Sequence, residues 1–114
     1  MKRVFVYGTL RGTGIPAKLI GFSKDTSAQF PTIYPDGDGA VDGEILNVSV
    51  HELAAMDRYE GYNPDRPERS LYVRMQISDG SYVYVANVET HGHWDVSYSL
   101  DEVRQQLREA EIVK

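Results

Sequence analysis

The first periodic signal is an apolar run, Val4-Phe5-Val6-Tyr7. It is too short for a helix and too β-branched and aromatic for a loop, which predicts a buried strand. It stops at Gly8, and Thr9-Leu10-Arg11-Gly12 reads as a turn with a second glycine. Beyond Arg11-Gly12-Thr13-Gly14 the pattern is irregular, with Ile15-Pro16 in extended chain and a short candidate strand from Leu19 to Phe22. Pro31 to Tyr34 is another short strand, closed by a turn at Pro35-Asp36-Gly37-Asp38-Gly39. Val41 to Val48 is a strand, and Gly43 inside it marks a bulge or a close approach to the backbone. Ser49 and Glu52 form a capping box, Val48 and Leu53 a hydrophobic staple, and Gly61 suits the far end of a helix ending near Tyr59 or Glu60. Its inner face carries Leu53 and Met56. Leu71, Val73, Met75 and Ile77 then alternate with Tyr72, Arg74, Gln76 and Ser78, a strand signature. Asp79-Gly80 predicts a two-residue type I′ turn into a return strand from Tyr82 to Val88. That turn would pair Met75 with Tyr84 and put Tyr82 and Tyr84 on the inner face with Ile77, Met75 and Val73. A second capping box, Ser99 with Glu102, and a staple from Tyr98 to Val103 open a helix whose stripe is Leu100, Val103, Leu107 and Ala110.

Composition narrows the function classes. A chain of 114 residues without linker or repeat is expected to be one domain, 1–114. There is no cysteine, so disulfides, thiolate metal sites and a cysteine nucleophile are excluded. No apolar run approaches the ~20 residues of a membrane span, and no signal-peptide core precedes the first strand, so a cytoplasmic protein with no membrane partner is expected. The net charge of −5 disfavours a nucleic-acid partner. The best basic patch, Arg66, Arg69 and Arg74, is interleaved with Asp65 and Glu68.

Candidate chemistry sits at two places. Gly8 either lets the chain leave the strand in a conformation other residues resist, presenting backbone N–H groups to an anion or carbonyl oxygen, or only shapes a turn. Neither a Gly-Lys-Ser/Thr nor a G-x-G-x-x-G pattern follows, so a nucleotide is not expected. Glu60 ends its helix, where the macrodipole disfavours a negative charge, and Asp57 three residues earlier can face it. Both effects, with desolvation by neighbouring tyrosines and against any offset from Arg58, would raise its pKa toward that of a general base; a solvated helix end is the alternative. His91 and His93 lack a third metal ligand by spacing, and the Thr9 hydroxyl has no histidine base tied to it.

Val4-Phe5-Val6-Tyr7-Gly8-Thr9-Leu10-Arg11 resembles the N-terminal signature of the γ-glutamylcyclotransferase-like family, and Val41-Asp42-Gly43-Glu44-Ile45-Leu46 its next characteristic strand. Met56-Asp57-Arg58-Tyr59-Glu60-Gly61 is similar to its L-D-x-x-E-G segment, with Met56 for the leucine. Tyr72-Val73-Arg74 and Tyr82-Val83-Tyr84-Val85 match its Y-x-R and its aromatic strand. The resemblance runs in order from residue 3 to about 88, and closest to the small bacterial members. It departs between Arg11 and Pro31, where the usual Pro-Asn-His region has no counterpart. The resemblance implies an α+β fold, a small mixed β-barrel with flanking helices and a cavity at one end. It also implies a cofactor-independent enzyme acting on a small γ-glutamyl compound. Tyr7, Gly8, Thr9 and Leu10 would hold the γ-glutamyl group, Glu60 would be the base that lets the α-amine close to 5-oxoproline, and Tyr84 and Tyr34 would line the cavity. The rival reading is a non-catalytic protein that binds a small polar ligand in the same cavity. A protein-interaction domain is a third, which an exposed apolar patch would mark. The sequence sets neither the leaving amine nor an oligomeric state.

Overall fold

β1 (Lys2–Val6), β2 (Ile15–Asp25), β3 (Thr32–Val48), β4 (Tyr72–Gln76), β5 (Tyr82–Ala86) and β6 (Ile112–Val113) form a sheet ordered β4-β5-β1-β3-β2-β6. The structure is a computed structural model that describes residues 1–8, 12–26, 31–89 and 98–114. β1 runs antiparallel to β3 (Thr32–Val48) and parallel to β5 (Tyr82–Ala86). Val4 and Val6 enter one core cluster, while Phe5 and Tyr7 enter the other. A strand covered on both faces needs an unbroken apolar run, which is why β1 does not alternate.

Two helices cover the two faces. α1 (Val50–Tyr59) brings Leu53 to the cluster of Val4, Val6, Tyr72 and Tyr84. α2 (Leu100–Glu109) brings Val103 and Leu107 to the cluster of Phe5, Val73, Met75 and Val83. Both capping boxes form as expected, at Ser49–Glu52 and Ser99–Glu102. The architecture is the expected α+β fold. β4 (Tyr72–Gln76) and β6 (Ile112–Val113) end the sheet without pairing to each other, so the sheet is open and "barrel" describes only its general shape.

Three local expectations change. The irregular region after Gly14 is a long strand, β2 (Ile15–Asp25), paired antiparallel with β3 along most of its length. Pro35 to Gly39 does not end a strand. It is an excursion within β3, where the register shifts between Ile20 and Phe22 and Pro35 pairs with Phe22. Gly21 opposite takes φ +89°, and Asp36 steadies the excursion by accepting from Ser23 Oγ (2.6 Å) and the Asp38 N–H (3.2 Å). A bulge can hold a proline that a regular ladder cannot.

The third change moves two tyrosines. Ile77 donates to Ser81 O (2.8 Å) and Gly80 to Ile77 O (2.9 Å), so the hairpin loop is Ser78-Asp79-Gly80. Of these only Gly80 has positive φ (+88°), whereas a type I′ turn needs two such residues. The Asp79 carboxylate instead accepts from the N–H (2.9 Å) and Oγ (3.0 Å) of Ser81. The extra loop residue shifts the pairing by one, to Arg74 with Tyr84 and Met75 with Val83. A one-residue shift reverses faces. Tyr82 and Tyr84 therefore share the face of Tyr72 and Arg74, not that of Val73, Met75 and Ile77.

Gly43 meets its expectation. A Cβ there would lie 2.5 Å from Val6 O and 2.6 Å from the Phe5 ring. Phe5 packs on bare backbone, so any side chain at 43 must push β1 away.

Candidate functional site

Glu60 caps the C-terminus of α1. Gly61 follows at φ +70°, the Tyr62 N–H bonds Asp57 O (2.8 Å), and the Gly61 N–H bonds Arg58 O (3.2 Å). This is a Schellman ending, in which glycine takes the left-handed position at no steric cost. Gly61 O then accepts from the Leu71 N–H (2.9 Å), joining the helix end to the start of β4. The Glu-Gly pair thus places Glu60 at a fixed point between α1 and the β4–β5 hairpin.

A polar tether sets the direction of the helix. Asp57 is buried, and Arg74 Nη1 donates to both of its oxygens, at 3.1 and 2.9 Å. The Tyr84 hydroxyl donates to the same carboxylate at 2.6 Å. The guanidinium of Arg74 lies over the rings of Tyr62 (5.4 Å) and Tyr82 (4.8 Å). Two expectations are corrected here. Asp57 is neutralised by Arg74, so burial rather than a like charge is what raises the Glu60 carboxyl above its ordinary range. The Arg74 charge is answered by Asp57, so it is not left over to join a basic patch with Arg66 and Arg69.

Burial raises the hydroxyls of Tyr7, Tyr72 and Tyr84, and the charge of Glu60 adds to each shift. Each hydroxyl already donates elsewhere. Tyr7 donates to Tyr84 O (2.6 Å), Tyr72 to Pro31 O (2.7 Å) and Tyr84 to Asp57. Thr32 links the same wall, accepting from the Ala86 N–H (2.9 Å) and bonding the Tyr7 hydroxyl. The Glu60 carboxylate sits half-buried, and among the described residues no hydrogen bond acts to lower its pKa.

The strand end at Tyr7 and Gly8 adjoins this group; Thr9 and Leu10 lie outside the described residues, as do His91 and His93. Gly8 corrects a further expectation. Its φ is not positive and a Cβ there would meet nothing within 4 Å, so the backbone does not demand glycine. No described residue fills the space beside it. The turn's far end is anchored by Glu44, whose carboxylate accepts from the N–H groups of Gly12 and Gly14 at 2.8 Å each. Lys24 Nζ donates to Tyr7 O at 3.0 Å and brings a positive charge to the strand end. Tyr34 joins indirectly, stacked on Tyr98 with centroids 6.1 Å apart. The Tyr98 hydroxyl is buried without a hydrogen-bond partner among the described residues, and burial pushes it up to about 12.

Of the expected site residues, Glu60 acts electrostatically on Tyr7 and Tyr84, Gly8 follows Tyr7 at the strand end, and Tyr34 stacks on Tyr98. Tyr72 and Glu44 were visible only as parts of motifs, while Asp57 was read as a like charge and Arg74 as part of a basic patch. No local pattern marks Lys24, and Tyr98 was read only as a helix staple, because what matters is their position across the sheet. No group of three or more histidine, cysteine or acidic side chains suited to a metal occurs among the described residues.

Comparison with known proteins assigns the family and the fold. The family model of gamma-glutamyl cyclotransferase, AIG2-like proteins matches residues 4–102, and the chain belongs to that family. A Halalkalibacterium halodurans protein, BH1612, provisionally named a gamma-glutamylcyclotransferase, is 30% identical over 87 residues, 74% of this chain and 66% of its own length. The match therefore spans slightly less than two thirds of that relative. The solution structure of At5g39720.1 from Arabidopsis thaliana superposes with a TM-score of 0.56 at 22% identity, over 95% of this chain and 83% of that one, and shares the fold.

Proposed function

We propose that the protein is a γ-glutamylcyclotransferase that converts a γ-glutamyl compound to 5-oxoproline, with Glu60 as general base. The observation that carries this reading is the half-buried Glu60 carboxyl, raised by burial and set among Tyr7, Tyr72 and Tyr84 beside the open strand end at Gly8.

The substrate's α-ammonium gives a proton to Glu60. The freed amine attacks the γ-carbonyl carbon, the new C–N bond closes the five-membered ring, and the bond to the leaving nitrogen breaks. Closing the ring makes its nitrogen shed a second proton, and Glu60 relays the two protons in turn to the leaving nitrogen, so the sum is 5-oxoproline and a protonated amine, with no net water consumed. A raised pKa suits a carboxylate that must take a proton and give it back. Backbone N–H groups in the Tyr7 to Leu10 segment would bind the γ-glutamyl group and the developing oxyanion. Nucleophile and carbonyl belong to one molecule, so holding the folded substrate supplies much of the rate. Tyr84 and Tyr34 contribute walls rather than proton transfer, since the Tyr84 hydroxyl is committed to Asp57.

The test is 5-oxoproline release from γ-glutamyl amino acids, peptides and amines, with Glu60→Gln alongside. The variant should lose roughly 10²–10⁴-fold in kcat, the usual contribution of a positioned base. The acid limb of the wild-type profile should lie above the ordinary range of a glutamate. Thermal stabilisation by these compounds without release would instead favour the non-catalytic binding protein. Release unchanged in the variant would remove Glu60 from the chemistry.

A further inference from the structure

A cleft of about 310 Å³ lies along the free edge of β4, bounded by Tyr62, Arg74, Gln76, Tyr82, Arg104 and Arg108, with Met75 at its base. Glu60 is not among its lining residues. Three segments distant in sequence build it: the loop after α1, the β4–β5 hairpin and the C-terminal half of α2. Three of the lining side chains are guanidinium groups and none is acidic, on a chain whose net charge is −5.

The charges here are only partly answered from within. Arg74 is bound to Asp57 and sandwiched by the two tyrosine rings, so its position is fixed before any ligand arrives. Arg104 pairs with Asp101, an acid 94% exposed, and such surface pairs contribute little energy, so a ligand can compete for the guanidinium. Arg108 has no salt-bridge partner among the described residues. Arg104 and Arg108 stand four apart on α2 and share one helix face, where like charges repel. A concave site that gathers one sign of charge between low-dielectric walls concentrates the opposite ion. Guanidinium forks match the paired oxygens of carboxylates and phosphates.

We propose that this cleft is a second ligand site, which takes a small dianionic oxyanion on Arg104 and Arg108 with Arg74 and Gln76 at its inner wall. The oxyanion can be a phosphate or a dicarboxylate, and the recognition chemistry is the same. The site does not depend on the Glu60 reading.

The test is thermal unfolding of the wild type with inorganic phosphate or with succinate, each against chloride at equal ionic strength. An Arg104→Gln, Arg108→Gln double variant runs in parallel. Both side chains are at the surface, so the variant is expected to fold. The wild type should show a saturable rise in Tm, and the double variant at least a tenfold weaker apparent affinity. The stronger of the two anions identifies the source. Glu60→Gln should bind like the wild type, which separates this site from the proposed active centre. A rise that does not saturate, that persists unchanged in the double variant, or that is no larger than with chloride would overturn the proposal.

Discussion

α1 and α2 begin alike and are held in different ways. Each has ten residues and opens on a serine–glutamate capping box. α2 buries Val103 and Leu107, and Ala110 just past its end, against the sheet. α1 buries one apolar residue, Leu53, and one charged residue, Asp57. α2 is therefore an ordinary packing helix. α1 depends on a single buried ion pair for its orientation, and α1 is the helix that ends in Glu60. Apolar contact is tolerant of direction, whereas Arg74 and Tyr84 bond named oxygens of Asp57 and fix how the helix end faces the tyrosines.

The largest effects should separate the two helices. Asp57→Ala leaves Arg74 without its partner, and breaking a buried pair in this way costs about 3–5 kcal/mol. Leu107→Ala opens a cavity under α2 at a cost of about 2–5 kcal/mol. Urea unfolding should therefore show similar losses. Turnover per folded molecule should differ: it should collapse in Asp57→Ala, where Glu60 loses its support, and persist in Leu107→Ala. Equal turnover in the two folded variants would show that the tether does not position Glu60.

The same contrast explains what was legible beforehand. Capping boxes, staples and the stripe of α2 are local patterns, and the chain displays them openly. The motif around Glu60 was readable because Gly61 must follow at a left-handed position. The face of Tyr84 was misread because it turns on one residue of loop length, and Asp79-Gly80 suits both a two-residue and a three-residue turn. Of β2 only the Leu19–Phe22 part was anticipated, because its alternation is broken by Pro16 and Gly21, and its long pairing with β3 is a tertiary fact. The role of Asp57 was read as repulsion because its partner, Arg74, lies 17 residues away on another element. What decided the site was pairing across the sheet, which spacing along the chain does not encode.

A smaller effect sharpens the comparison at the helix starts. Ser49 Oγ accepts from the Glu52 N–H at 3.1 Å and the returning bond, Ser49 N–H to Glu52, is 2.9 Å. At α2 the matching distances are 3.2 and 3.4 Å, and Glu89 also accepts from the Leu100 N–H at 2.7 Å. Losing an N-cap serine typically costs about 1 kcal/mol. Ser49→Ala should show that full loss, and Ser99→Ala less, because Glu89 still answers one of the free N–H groups. Equal losses would mean that Glu89 contributes nothing to the cap.

The smallest effect concerns Glu60 itself, and its sign follows from its burial. Its folded-state pKa lies above the ordinary glutamate value of 4.5, so the ionised form is disfavoured in the folded protein relative to the unfolded chain. The group is neutral in both states below that value and carries no penalty there. As pH rises through the folded pKa, the folded state must hold a half-buried charge, and stability from this group is lost. Glu60→Gln never ionises. The variant should therefore be at least as stable as the wild type at pH 7 by thermal unfolding, and that advantage should vanish as the pH falls below about 4.5. A variant less stable than the wild type at neutral pH would mean that the carboxylate is bound by the fold. Glu60 would then belong with Asp57 as a structural charge rather than standing at the end of the helix as a reactive one.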